Sequence, residues 1–176
     1  MIKKACGRRL YPPQSSYLKS NVYFYVMIKT IHKGVIAPKG FKAGSVHCGL
    51  KRSTKNHDIG IIFSEQPCKA AALFTTNQIV AAPIKYSKKV IQKGTAHAIV
   101  VNSGNANACT GKKGYKDAET MAQLTSGHLN IKSDKVIVAS TGIIGHHLPM
   151  AKIKSGINKS SARLGNKETH SINIAK

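Results

Sequence analysis

Short apolar runs separated by polar and glycine-rich stretches set the pattern of this chain: residues 59–63, 70–74, 98–101 and 136–139. Each is of strand length, and β-branched residues dominate the last two. Ile59 to Ser64 reads as a strand. Ala70 to Phe74 is a second apolar piece running into Thr75-Thr76-Asn77. Pro83 limits ladder pairing, so Ile84 to Tyr86 is expected as an edge strand or extended loop. Lys88 to Lys93 then reads as a short helix closed by Gly94. After a strand over 97–101, the period changes to that of a helix: Tyr115, Ala118, Met121, Ala122 and Leu129 fall on one face, with Leu124 off to the side. Asp117 and Glu119 sit where acids favour the helix dipole, and Gly127 weakens the last turn. Strand, loop, helix and strand from 97 to 139 therefore suggest a βαβ unit. A further helix is expected from Pro149 to about Ile157, and the tail is helix-compatible from about Lys167.

Two of these strands end alike. Ile99 to Gly111 reads IVVNSGNANACTG, an apolar run that stops in Asn, Ser, Gly and Ala; Val136 to Gly145 reads VIVASTGIIG and breaks at Ser140-Thr141-Gly142. Small residues let a ligand approach the backbone, and Asn102, Asn105 and Asn107 add amide donors and acceptors. The two exits look like two walls of one active site, or else are ordinary strand ends. Thr141-Gly142 is the strongest local candidate for chemistry. Acyl transfer develops negative charge on a carbonyl oxygen, and a hydroxyl beside a glycine N–H can form a donor pair for it. The competing reading is that Ser140-Thr141-Gly142 merely turns the chain.

Other motifs lead elsewhere or nowhere. Gly104 to Lys112 superficially resembles a phosphate loop, but six residues separate its glycines and Lys113 stands where Ser or Thr is required. The GxSxG nucleophile elbow is absent, and Ser103 and Ser140 lack a local base. His47, His57 and His97 could act as bases but read more simply as surface or structural. Cys109 could be a nucleophile, although burial is the expected role.

The net charge of +22, from 28 Lys and Arg against 6 acids, raises nucleic acid as a partner. The lysines are scattered singly or in pairs, however, with no basic helix and no aromatic stacking platform. Non-specific adhesion to polyanions at low salt is expected, and specific binding is not. Four separated cysteines without a CxxC pair suit a reducing compartment, with thiols serving as small buried hydrophobes. No His/Cys cluster has zinc spacing, so no metal is expected. No run approaches the roughly 18–20 apolar residues of a membrane span. Residues 1–26 imitate a signal sequence only weakly and read as a disordered extension or a start assigned too far upstream.

VNSGNANACTG, DAETMA and VASTGIIGHHLPM, preceded by GVIAPKGFKAGSVHCGLK and SEQPCKAAALFTTNQIVAAPIKYS, together resemble the bifunctional glutamate N-acetyltransferase/ornithine acetyltransferase family of arginine biosynthesis. The matches keep family order and spacing over roughly residues 30 to 176. The resemblance implies an α/β (α+β) fold of layered sheets and helices, present here as an incomplete domain. It implies acetyl transfer from N-acetylornithine to glutamate, with acetyl-CoA as a further donor in some members of the family and no bound cofactor. In that family a threonine freed by self-cleavage becomes the N-terminal nucleophile of a second chain. The family's oxyanion hole carries over onto Thr141 and Gly142, both intact.

The self-cleavage motif and the AIMTTD-like substrate-binding segment do not occur in these residues. Residues 27–176 are accordingly expected to be the N-terminal part of the acetyltransferase domain, with nucleophile and substrate contacts downstream of Lys176. Such a piece is expected to be inactive alone, to leave apolar faces uncovered, and to work in the cytoplasm in a heterotetramer of two alpha and two beta chains. An inactive remnant of that enzyme and a basic nucleic-acid-binding module are the alternatives.

Overall fold

The computed structural model describes residues 33–175; the expectations for residues 1–26 lie outside them. Four strands form one sheet in chain order: β1 (Phe41–Val46), β2 (Ile59–Lys69), β3 (Thr95–Asn105) and β4 (Val136–Ile143). β1–β2 and β2–β3 are antiparallel, while β3–β4 is parallel. The parallel pair requires a crossover, and helix α2 (Gly111–Leu129) supplies it, so the βαβ unit expected from 97 to 139 is present. The other helices are α1 (Ala82–Ile91), α3 (Met150–Ala162) and α4 (Glu168–Ala175). The result is the layered α/β arrangement expected.

Alternation along the strands sorts the sheet into two faces. Val46, Ile59, Ile61, Ala98, Val100, Val136 and Val138 pack against Ala118, Met121 and Ala122 of α2 and Ile153 and Ile157 of α3 to form the core. On the opposite face, the register lines up Ala43, Ile62, Ile99 and Ile137 in one row across all four strands. α4 reaches that face over Gly60, where an added Cβ would meet Ile174. Ile62, Ile99 and Ile137 are only partly buried.

On each edge strand one residue has its outward backbone groups bonded by a segment outside the sheet. Ala43 and Gly165 exchange N–H···O bonds of 2.9 and 3.0 Å along β1. On β4, Ser87 Oγ of α1 donates to Val138 O (2.7 Å) and accepts from Val138 N (3.0 Å). These contacts occupy backbone groups that an open edge would present to another chain.

Several boundaries differ from the sequence reading. Pro83 opens helix α1 rather than limiting a strand: its fixed φ and missing N–H suit a first helical turn. Ala70 to Phe74 joins no element and Leu73 is fully exposed, because β2 takes its ladder only as far as Lys69. α2 begins at Gly111, one turn earlier than expected, which places Asp117 in its second turn, paired at 2.8 Å with Lys113. α3 runs to Ala162, beyond the expected end near Ile157. β3 and β4 continue through Asn105 and Ile143 instead of stopping at the apolar residues.

The β1–β2 connection is organised by Asp58, whose side chain is fully buried. Its Oδ1 accepts from Cys48 N (2.7 Å), and its Oδ2 accepts from Gly49 N (3.1 Å), Leu50 N (2.8 Å) and Lys51 N (3.1 Å). Burial by itself pushes the Asp58 carboxyl up, but the Cys48, Lys51 and Leu50 N–H groups outweigh it and hold the carboxyl below its ordinary value. His47 Nδ1 lies 3.0 Å from Oδ2 without hydrogen-bond geometry, so that contact attracts only when the ring is protonated.

Gly44→Ala directs a Cβ into the backbone of Ser160 and Leu164, whereas Gly127→Ala in α2 meets nothing. Urea midpoints should show Gly44→Ala destabilising by about 1–3 kcal/mol and Gly127→Ala stabilising by about 0.5–1 kcal/mol. Because the folded-state pKa of Asp58 lies below its unfolded value, its stabilisation is complete above about pH 4 and fades as pH falls through the folded-state value. Asp58→Asn should cost roughly 2–3 kcal/mol at pH 7 and show a smaller loss than wild type between pH 6 and pH 3; equal slopes in the two unfolding series would show that Asp58 is not the responsible group.

Candidate active site

The two small-residue segments singled out in the sequence lie side by side. In the parallel register Asn102 faces Ser140, Ser103 faces Thr141, Gly104 faces Gly142 and Asn105 faces Ile143. Gly142 has φ +133°, and a Cβ there would strike the backbone of Gly104 and the amide of Asn105. Gly104, at φ +117°, would bring a Cβ to 3.1 Å from the Leu50 carbonyl oxygen. Two glycines are thus required by conformation and by contact. Thr141 and Gly142 are both exposed, and Thr141 shares a sheet face with Ser103.

The asparagines build the support. Asn102 Nδ2 donates to Asn105 O (2.9 Å). Asn105 Oδ1 accepts from Asn107 N (2.8 Å), and its Nδ2 donates to His146 O (3.1 Å) and His147 O (3.2 Å). Asn107, fully buried at φ +48°, donates from Nδ2 to Gly114 O (2.8 Å) and accepts the Thr110 hydroxyl at Oδ1 (2.7 Å). Backbone bonds from Ala106 N to Ile143 O and from Gly145 N to Ala108 O, both 2.9 Å, join the two loops. The segment following Gly142 is therefore tied to the end of β3 and to the loop that precedes α2. Sequence reasoning saw these amides without a role; the signal was that Asn tolerates left-handed backbone better than most residues.

On the helix-facing side, the cross-strand neighbours Asn102 and Ser140 each carry a buried oxygen, Oδ1 and Oγ, with no hydrogen-bond partner among the described residues. Such atoms cost stability, and they cluster where strand ends serve something other than packing.

The other candidates lie away from Thr141. His57 Nδ1 is 2.8 Å from Ser45 Oγ; burial first, then the Arg163 charge, pushes its pKa down, so the ring is neutral at pH 7. His97 Nδ1 lies 3.3 Å from Ser64 O, far along β3 from Ser103. The expectation of buried thiols fails for Cys109, which is exposed at φ +58° in the tight turn preceding α2. Cys48 is half-buried, and burial together with the Asp58 carboxylate pushes its thiol up to about 12, leaving it protonated. Sequence reasoning missed Asp58, although an acid placed directly before an apolar strand, in a chain with only 6 acids, was a usable signal. Among the described residues no group of three or more His, Cys, Asp or Glu is placed to hold a metal, and no helix is long and apolar enough to cross a membrane.

Comparison with known proteins converges on one family. The ArgJ family model matches residues 42–175. The arginine biosynthesis bifunctional protein ArgJ of Thermotoga neapolitana is 48% identical over 132 residues, covering 74% of this chain and 33% of the relative. That of Listeria monocytogenes serotype 4b is 54% identical over 136 residues, covering 76% and 34%. The chain thus spans about a third of the length of these relatives. The crystal structure of ArgJ from Bacillus halodurans superposes with TM-score 0.75 at 40% identity, over 80% of this chain and 73% of that one. The ornithine acetyltransferase of Mycobacterium tuberculosis, solved in complex with ornithine, gives TM-score 0.78 at 36% identity, over 82% and 77%. With a family match across most of its length and these structural likenesses, the chain belongs to the ArgJ family.

Proposed function

We propose that this chain supplies the oxyanion hole of an acetyltransferase that moves an acetyl group from N-acetylornithine to glutamate. The observation that carries the reading is the placement of Thr141 and Gly142, exposed at the end of a parallel strand and braced through Gly104 and the Asn105 network. In this reading the Thr141 hydroxyl and the Gly142 N–H donate to the acetyl oxygen as it becomes tetrahedral. Fixed donors of this kind lower the barrier because they need no reorganisation when charge develops.

The nucleophile is a threonine contributed by a complementary chain. Its oxygen attacks the acetyl carbon, the C–N bond to ornithine breaks, and ornithine leaves with the proton. The glutamate amine then attacks the ester carbonyl, releasing N-acetylglutamate and restoring the threonine. Acetyl-CoA serves as an alternative donor to the same hole, its thiol leaving in place of the amine. The partly exposed row of Ile62, Ile99 and Ile137, on the face that carries Thr141, supports a complementary chain as partner; the assembly in this reading is a heterotetramer of two alpha and two beta chains. The setting is the cytoplasm.

In the enzyme reconstituted with the complementary chain, Thr141→Ala should lower kcat about 10²–10³-fold with unchanged circular dichroism, and Thr141→Ser should restore most of it. Full turnover by a folded Thr141→Ala enzyme would remove Thr141 from the hole.

A further inference from the structure

We propose that Lys51 and Arg52 form a cationic wall that binds an anionic group, carboxylate or phosphate, carried by the molecule whose carbonyl sits at Gly142. The inference deepens the oxyanion-hole reading and rests on it. An open cavity of about 680 Å³ has Leu50, Lys51 and Arg52 on one side, and Ser103, Gly104, Gly142 and Ile143 on the other. An acyl compound with its carbonyl oxygen at Gly142 and its chain lying along this cavity meets two cations.

The position of this wall is set by forces independent of its charge. The Leu50 and Lys51 amides are held by Asp58 Oδ2 at 2.8 and 3.1 Å. The Leu50 carbonyl packs against Gly104, so the loop sits directly over the strand ends. Asp58 spends its charge on four backbone amides and leaves the two side chains to the cavity. Among the described residues the ion pairs are Lys42–Glu65, His47–Asp58, Lys93–Asp134 and Lys113–Asp117, and neither Lys51 nor Arg52 takes part. Arginine presents a planar fork that matches carboxylate or phosphate oxygens, and lysine adds a point charge. Lys51 also lines an adjoining cavity of about 180 Å³ with Ser103, Ser45 and His57, so it stands where two hollows meet.

The test uses the full 176-residue chain labelled with ¹⁵N at about 0.15 M ionic strength, where surface charges are largely screened. N-acetylglutamate presents carboxylates with an acetyl carbonyl, coenzyme A presents phosphates, and inorganic phosphate presents the anion alone. Saturable amide shifts are expected at residues 50–52, 103–104 and 142–143 with one of the two organic probes, and the probe that saturates identifies the anion. Inorganic phosphate should move residues 50–52 and leave Gly142 in place. Lys51→Gln/Arg52→Gln should weaken binding about tenfold or more, since charge-assisted bonds are lost, while Lys154→Gln/Lys159→Gln on α3 removes the same charge and should change it less than about twofold. Equal weakening by both double variants, or no saturable shift with any probe, would overturn the proposal. Inorganic phosphate, which has no carbonyl, separates the two readings: its shifts at residues 50–52, and their loss in Lys51→Gln/Arg52→Gln, do not involve Thr141, so a failure of the oxyanion hole leaves them in place and shows in the turnover of the reconstituted Thr141→Ala enzyme.

Discussion

Parallel pairing of β3 with β4, carried past the last apolar residues to Gly104 and Gly142, is the constraint on which the candidate site depends. Once Val100 faces Val138 inside the core, the register fixes every pair further along, because adjacent ladders advance one residue at a time. Ser103 must then meet Thr141, and Gly104 must meet Gly142. A side chain at either glycine would push the strands apart or strike the Leu50 loop. The apolar core thus positions polar groups that contribute nothing to it, and α2 makes the parallel register possible by returning the chain to the same end of the sheet.

The use of acids follows a similar economy. Three of the six acidic residues, Glu65, Asp117 and Asp134, pair with lysines, and Asp58 gathers four backbone amides. Little negative charge remains to offset 28 Lys and Arg. The resulting positive field is a global property, and it raises the local concentration of anions everywhere on the surface. Lys51 and Arg52 place part of that charge beside the open hollow at Gly142.

The two faces of the sheet play different parts. One is sealed by α2 and α3 and carries the stability of the fold. The other keeps Ile62, Ile99 and Ile137 partly exposed, with Thr141 at its end and Ile143 and Ile144 exposed just beyond. Apolar surface of this kind, left open beside exposed polar groups, is available for another surface to cover.

The sequence by itself determined the elements with strong local signals. Helical spacing from Tyr115 to Leu129, β-branched runs at 98–101 and 136–139, and small residues at both strand ends were enough to foresee a βαβ unit and to single out Thr141 and Gly142. They were legible because period and residue size are properties of the chain alone. Tertiary structure decided the remainder. Pro83 lies in the first turn of a helix, where its fixed φ and missing N–H fit, and that helix brings Ser87 to the edge of β4. Ala70 to Phe74 stayed outside the sheet because β2 takes its ladder no further than Lys69. Asp58 became the anchor of the Leu50 loop, and the asparagines became braces, through bonds to backbone atoms that carry no residue identity. A backbone amide or carbonyl is the same at every position, so which one a side chain will reach is fixed only when the fold brings them together.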